Sequence, residues 1–292
     1  MKKAILVVSF GTSYLEQKKE SIDPCIQAIQ EAFPDWDVHE SFSSSFLRKR
    51  LLSEYNLKIL SPDETMGQLK QEGYTKVVIQ PLFLIEGIEY DKLLALRNQY
   101  HEGAQVDRLQ EVILASNIRC KEKLEGTSEE KVIEQEVDKA QRTKMKVAVG
   151  KALLSTQKDY ESVVKEIEAT YQGLDTDILL LGHGTTHEAH VSYAYLQEML
   201  DATILNCMVT TLEDRCNLHQ MPFKNDTVTI VPFMLVAGMH ILKDVMGDQE
   251  ASFKSGLEAL DKQVKVVQKG LGSYLSTRQV YITHIQKVIN KL

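Results

Sequence analysis

Two histidines of this 292-residue chain stand where a side chain can do chemistry. His183 lies between Gly182 and Gly184 directly after the apolar run Ile178–Leu181, and small neighbours there let a ligand approach the backbone closely. That is a poor place for a packing histidine. His240 follows Gly238 at the end of a second strong apolar run, so both imidazoles should emerge on one side of one sheet. Glu213 comes after the run Ile204–Thr210 and supplies a carboxylate from a third strand end. Alone, Glu213 reads as a hydrogen-bonded loop residue; its place beside the two histidines brings it into the set. Two imidazoles and a carboxylate suit cobalt, iron, nickel or zinc and are too rich in nitrogen for calcium or magnesium. A histidine nucleophile for phosphoryl transfer would want arginines beside it, and Leu181-Gly-His-Gly-Thr185 has none. His187 and His190 read as walls of the same cleft, and His39, His101, His219 and His284 as surface or satisfied-core residues.

The elements that must position these groups follow from the hydrophobic pattern. Ala4–Ser9 is a continuous aliphatic run of the kind found in parallel sheets covered on both faces. Asp23-Pro24 predicts an N-cap and a helix to about Phe33, and Ser61-Pro62-Asp63-Glu64 predicts a second helix closed by Gly73. Strands are expected near Val38–Phe42, Lys76–Leu82, Lys146–Gly150, Asp177–Gly182, Ile204–Thr210, Thr227–Leu235 and Val264–Gln268. Strands alternating with helices give an α/β fold of two similar open parallel-sheet halves.

The halves announce themselves as a repeat. Val7-Val8-Ser9-Phe10-Gly11-Thr12-Ser13-Tyr14 aligns with Leu180-Leu181-Gly182-His183-Gly184-Thr185-Thr186-His187, and Pro81–Glu89 aligns without a gap with Pro232–His240. Ligands of open α/β sheets sit beyond the carboxyl ends of the strands, where this alignment puts His183, His240 and Glu89, so a cleft between the halves is expected. Glu89 would enter it from the opposite half, to assist proton removal or touch the ligand, or else simply start a helix. The expected boundaries are an N-terminal half at 1–116, a charged, helical insertion at 117–144 and a C-terminal half at 145–292 carrying the metal ligands, with the last helix packing back on the first half.

Composition excludes several classes. A net charge of −7, from 34 basic and 41 acidic residues spread along the chain, leaves no broad cationic surface for nucleic acid. No apolar stretch approaches the roughly 20 residues that cross a bilayer, so no membrane partner is expected. Met-Lys-Lys and the short apolar run after it lack a small-residue cleavage site and read as a buried strand, which makes the expected location cytoplasmic. The four cysteines, Cys25, Cys120, Cys207 and Cys216, show no CxxC spacing and read as reduced thiols.

Ser9-Phe10-Gly11-Thr12-Ser13, Pro81-Leu-Phe-Leu-Ile-Glu-Gly-Ile-Glu89-Tyr90, Leu181-Gly-His183-Gly-Thr185, Val231-Pro-Phe-Met-Leu-Val-Ala-Gly238-Met-His240 with Lys243-Asp244, and Gly270-Leu271-Gly272 together resemble the anaerobic sirohydrochlorin cobaltochelatases. These belong to the type II chelatase superfamily that includes ferrochelatase, and the resemblance spans nearly the whole chain. It implies insertion of Co²⁺ into sirohydrochlorin, or its reduced precursor, in anaerobic cobalamin biosynthesis. It also implies that His183, Glu213 and His240 are the metal ligands and that His183 is the proton acceptor. No tightly bound cofactor is implied, because the metal is a substrate; Fe²⁺ and Ni²⁺ are the alternatives to Co²⁺. The partners expected are therefore a tetrapyrrole and a divalent metal, with a homo-oligomer left open. The loop Ser9–Ser13, with Gly184 and Thr185, would bind the carboxylate-rich ring through amides at helix starts, aided by cations such as Arg48, Lys49, Arg50 or Lys92. The rival readings are iron insertion toward siroheme or haem and a metal or tetrapyrrole carrier without turnover.

Overall fold

The computed structural model describes residues 1–100, 145–238, 245 and 252–292; the side chains of Arg215 and Cys216 are not among them. The charged 117–144 segment, His101, Cys120, His240 and Lys243-Asp244 therefore lie outside the described residues. Two four-stranded parallel sheets carry the fold. The first has the order β2-β1-β3-β4, with β1 Lys2–Ser9, β2 Asp37–Phe42, β3 Tyr74–Pro81 and β4 Lys146–Val149. The second repeats that order as β6-β5-β7-β8, with β5 Asp177–Gly182, β6 Cys207–Thr211, β7 Thr227–Pro232 and β8 Gln263–Val266.

Strand alternation divides the core in a way that joins the halves. Ile5 and Val7 of β1 and Ile178 and Leu180 of β5 belong to one shared apolar cluster between the sheets. Ala4, Leu6 and Val8 face a second cluster with Leu93 and Leu96, and Leu179 and Leu181 face a third with Phe253 and Leu257. Both faces of β1 and β5 are thus buried, which is why each reads as an unbroken apolar run.

The helices are α1 (Asp23–Ala32), α2 (Ser45–Tyr55), α3 (Pro62–Gln71), α4 (Ile88–Tyr100), α5 (Gln157–Tyr171), α6 (Val191–Asp201), α7 (Phe253–Glu258) and α8 (Leu275–Ile289). The expected start of α3 is present as a reciprocal cap: Ser61 Oγ accepts from Glu64 N–H at 3.2 Å, and Glu64 Oε2 accepts from Ser61 N–H at 2.7 Å. At α1 the structure differs from the sequence reading. Asp23 has helical dihedrals and caps nothing; a helical turn at Leu15–Gln17 and a π-helical stretch, Lys18–Ile22, precede it. Asp23 N–H reaches back to Lys18 O, five residues away, and this wide turn sits where the Pro24 ring would otherwise press on the carbonyl of Glu20.

The change of sheet also falls elsewhere than at residue 145. β4 pairs with β3, so the chain completes the first sheet before α5 carries it to the second. The C-terminal α8 then returns to pack on α1, β3 and α5. Buried His284 pins that return: its Nδ1 lies 3.1 Å from Lys151 O and its Nε2 3.1 Å from Asp159 Oδ1. Just before α8, a Cβ at Gly270 would lie 2.3 Å from Leu235 O, and one at Gly272 would lie 2.1 Å from Ser21 O. The Gly-Leu-Gly motif is thus a backbone-to-backbone crossing between the halves.

Candidate active site

The registers make the internal repeat physical. Val8 pairs with Pro81 as Leu181 pairs with Pro232, and Ser9 pairs with Phe42 as Gly182 pairs with Thr211. The hydrogen bond from Leu82 N–H to Val8 O at 2.7 Å returns as Phe233 N–H to Leu181 O at 2.8 Å. Thr12 Oγ1 accepts from Tyr14 N–H at 3.2 Å, and Thr185 Oγ1 accepts from His187 N–H at 3.1 Å. Gly11 and Gly184 both take left-handed φ, +100° and +90°. Position by position, Phe10 is the counterpart of His183, Ser44 of Glu213, and Glu89 of His240.

The strand-end loops of the two halves meet reciprocally. A Cβ at Gly87 would lie 4.0 Å from Thr185 Oγ1, and one at its counterpart Gly238 would lie 3.8 Å from Thr12 Oγ1. Each half therefore sets its threonine against the other half's glycine, as in a two-fold pair. His187 bridges the same junction: Ala189 N–H donates to its Nδ1 at 3.1 Å, which puts the ring proton on Nε2, 3.2 Å from Asp91 Oδ2 on α4.

Beside this junction the turn that follows His183 lies against Glu213. Gly184 turns sharply after His183, and a Cβ there would meet the Glu213 carboxyl carbon and Thr211 Oγ1, both at 3.2 Å. Thr211 Oγ1 in turn donates to Asp214 Oδ2 at 2.6 Å, fixing the start of the 3₁₀ segment Leu212–Gln220 that presents Glu213. Both His183 and Glu213 are exposed. His183 Nδ1 lies 3.4 Å from Gly184 O; with the proton on Nδ1, the basic lone pair is on Nε2. His240, the third residue of the set, lies outside the described residues, although Gly238 just before it sits at the junction.

Tyr193 on α6 escapes the sequence reading. Its ring covers Gly182, where a Cβ would come within 2.5 Å of the ring edge. Burial pushes the phenol above its ordinary range; Gly184 N–H opposes that rise and Glu213 adds to it. The available signal was Gly182, a glycine ending the aliphatic run Ile178–Leu181, where another group approaches the backbone closely.

The corresponding strand ends of the first half are different in kind. Phe10 is 54% exposed, Phe46 64% and Ile88 51%, and they follow the carboxyl ends of β1, β2 and β3. Ser9, Thr12 and Ser13 are buried beneath Phe10, so within the Ser9–Ser13 loop it is Phe10 and Gly11 that reach the surface. Glu89 is held by Lys92 at 2.5 Å, Arg48 by Glu64 at 3.1 Å and Arg50 by Glu54 at 2.7 Å, whereas Lys49 is exposed. Three of the four cations considered as anchors are thus engaged within the chain.

The CbiK cobalt chelatase family matches this sequence over residues 3–114 and 117–290, which takes in nearly every element described above. The chain belongs to that family. Among CbiK-type relatives, the sirohydrochlorin cobaltochelatase of Salmonella typhimurium is 26% identical over 99% of this chain and 97% of its own length. The sirohydrochlorin cobaltochelatase CbiKC of Nitratidesulfovibrio vulgaris is 23% identical over 100% of this chain and 92% of its own. The fold is that of solved chelatases: the sirohydrochlorin chelatase SirB of Bacillus subtilis subspecies spizizenii in complex with cobalt superposes with a TM-score of 0.57 at 13% identity, covering 98% of this chain and 95% of that one. SirB from Bacillus subtilis with Fe³⁺ gives 0.55 at 14% identity, with the same coverage. No helix among the described residues is long and apolar enough to cross a membrane.

Proposed function

We propose that this CbiK-family chain inserts Co²⁺ into sirohydrochlorin, taking the ion at His183, Glu213 and His240 and laying the ring against the opposite wall at Phe10. The observation that supports this reading is that His183 and Glu213 follow the paired strand ends Gly182 and Thr211, with the turn at Gly184 against Glu213, while the equivalent positions of the other half hold Phe10 and Ser44. One wall offers nitrogen and oxygen donors to a metal, and the other offers an exposed aromatic to a flat macrocycle.

Insertion replaces two pyrrole N–H protons by one divalent ion, so the site must release the ion and accept protons. Neutral His183 can do both in turn: its lone pair holds the ion on arrival and takes a proton once the ion has passed to the four ring nitrogens, which bind more strongly by chelation. Glu213 beside it supplies negative charge that favours the cation before transfer. Glu89, from the other half, would receive the second proton once released from Lys92. We place the reaction in the cytoplasm, where buried Cys25 and Cys207 persist as thiols; burial raises both to about 12.

The test is an anaerobic absorbance assay with sirohydrochlorin and, separately, Co²⁺, Fe²⁺ and Ni²⁺. Turnover of excess sirohydrochlorin, fastest with Co²⁺, is the expected result. Saturation at one equivalent would instead identify a carrier, and a faster Fe²⁺ rate would move the reading to siroheme formation.

A further inference from the structure

Gly87, Asp91, Thr185 and His187 close a ring of contacts between the halves. Asp91 N–H donates to Gly87 O at 3.1 Å at the start of α4, and His187 N–H donates to Thr185 Oγ1 at 3.1 Å in the loop after β5. Gly87 faces Thr185 across the junction, and His187 Nε2 reaches Asp91 Oδ2 at 3.2 Å. The imidazole donates there, because its Nδ1 already accepts from Ala189 N–H at 3.1 Å. At the mirrored corner of the repeat Thr12 again faces Gly238 and accepts from Tyr14 N–H. The residues standing for His187 and Asp91 in that copy are Tyr14 and Leu242, and a leucine side chain offers no acceptor. The contact of threonine on glycine therefore recurs in both copies, whereas the bond between side chains belongs, by residue type, only to the corner beside His183.

We propose that His187 and Asp91 are a positioning pair that fixes the gap between the two walls, acting on the passage of the ion from His183 to the ring and not on the binding of either substrate. His187 stands four residues after His183, and Asp91 two residues after Glu89. The bond thus joins the loop of the metal wall to the helix turn that carries the proposed second proton acceptor. Each wall loads its own substrate with residues of its own half. Transfer alone needs both substrates at a set separation, and small misplacements there cost rate. The two side chains are 21% and 59% exposed, so the bond contributes little to overall stability. The pair rests on the metal-site reading above, which Co²⁺ titration of H183A tests separately.

The experiment measures anaerobic kinetics with sirohydrochlorin and Co²⁺, and titrates Co²⁺ alone by its visible absorption, for the full chain, D91A, D91N, H187A, D91A/H187A and H183A. D91A should lower kcat by about two- to fivefold, the range of one partly exposed hydrogen bond, with Co²⁺ affinity and the KM for sirohydrochlorin within about twofold of wild type. D91N keeps an acceptor oxygen and should recover most of the rate, although it removes the charge at the start of α4 as completely as D91A does. Adding D91A to H187A should cost nothing further, since the bond is already gone. The pair is overturned if D91A turns over at the wild-type rate or loses Co²⁺ affinity, if D91N is as slow as D91A, or if the two substitutions slow the enzyme independently. With H183A failing to bind Co²⁺, any of those results leaves the metal site standing and removes only the pair. If H183A binds Co²⁺ as wild type does, the metal-site reading falls and the pair with it.

Discussion

His183 and Phe10 occupy the same position in the two copies of one motif, and their chemistry is opposite. Exchanging His183 for Ala removes a donor and a base together; insertion should fall by about 100-fold or more in the anaerobic assay, with the far-ultraviolet circular dichroism native-like because the side chain is exposed. Phe10→Ala should act on the other substrate. An aromatic that hides roughly half its area against a ring contributes about 1 kcal/mol, so the KM for sirohydrochlorin should rise about fivefold while Co²⁺ titrations stay as in wild type. An unchanged KM would exclude Phe10 from the ring face. These two residues were legible in the sequence because glycines and aliphatic runs frame them. Tyr193 was not, since a tyrosine on an amphipathic helix looks like any core residue until the strand end it covers is known. Nor was the commitment of Arg48 and Arg50 to Glu64 and Glu54, because pairing is decided by side-chain geometry.

Glycines separate the elements that tolerate a side chain from those that do not. Gly67 lies inside α3, where a Cβ would meet only Tyr100 Oη at 3.6 Å, so Gly67→Ala should stabilise the chain by about 0.5–1 kcal/mol in urea unfolding. Gly272→Ala would force its Cβ to 2.1 Å from Ser21 O, a main-chain atom that cannot swing aside. The cost should be about 1–3 kcal/mol, read as a lowered thermal midpoint. The tie between α8 and α5 gives a pH signature. Burial would raise the Asp159 carboxyl, but the bonds from His284 and Thr156 outweigh it and hold the group below its ordinary range. A depressed carboxylate adds stability that is present above its unfolded pKa, about 3.9, and is lost as pH falls through the lower folded value. Asp159→Asn should therefore flatten the acid side of the stability curve, with unfolding followed from pH 6 down to pH 2. At this scale the α/β alternation was readable from apolar runs and caps. The start near Leu15 was hidden, because Asp23-Pro24 mimics a helix beginning and only the π-turn lets the helix run through it. The sheet to which β4 belongs was hidden too: four residues, Lys146–Val149, carry no mark of their partner.

The molecule as a whole is one folding unit despite its repeat. Ile5, Val7, Ile178 and Leu180 share a cluster, β4 completes the first sheet from beyond the 117–144 segment, and α8 covers α1 from the far end of the chain. Chemical unfolding should give a single transition by circular dichroism and by Trp36 fluorescence, and a fragment ending at residue 144, stripped of β4 and α8, should show no cooperative transition of its own. Two separated midpoints would mean that the halves hold themselves up independently. The shared core and the matched strand-end loops both follow the repeat, yet only one copy has a histidine after its first strand. On the proposed arrangement, with the ion on the wall of His183 and the macrocycle on that of Phe10, the two faces of the ring would not be equivalent: cobalt would enter from one of them, and the handedness of the substituents around the ring rim would govern whether a tetrapyrrole can be filled.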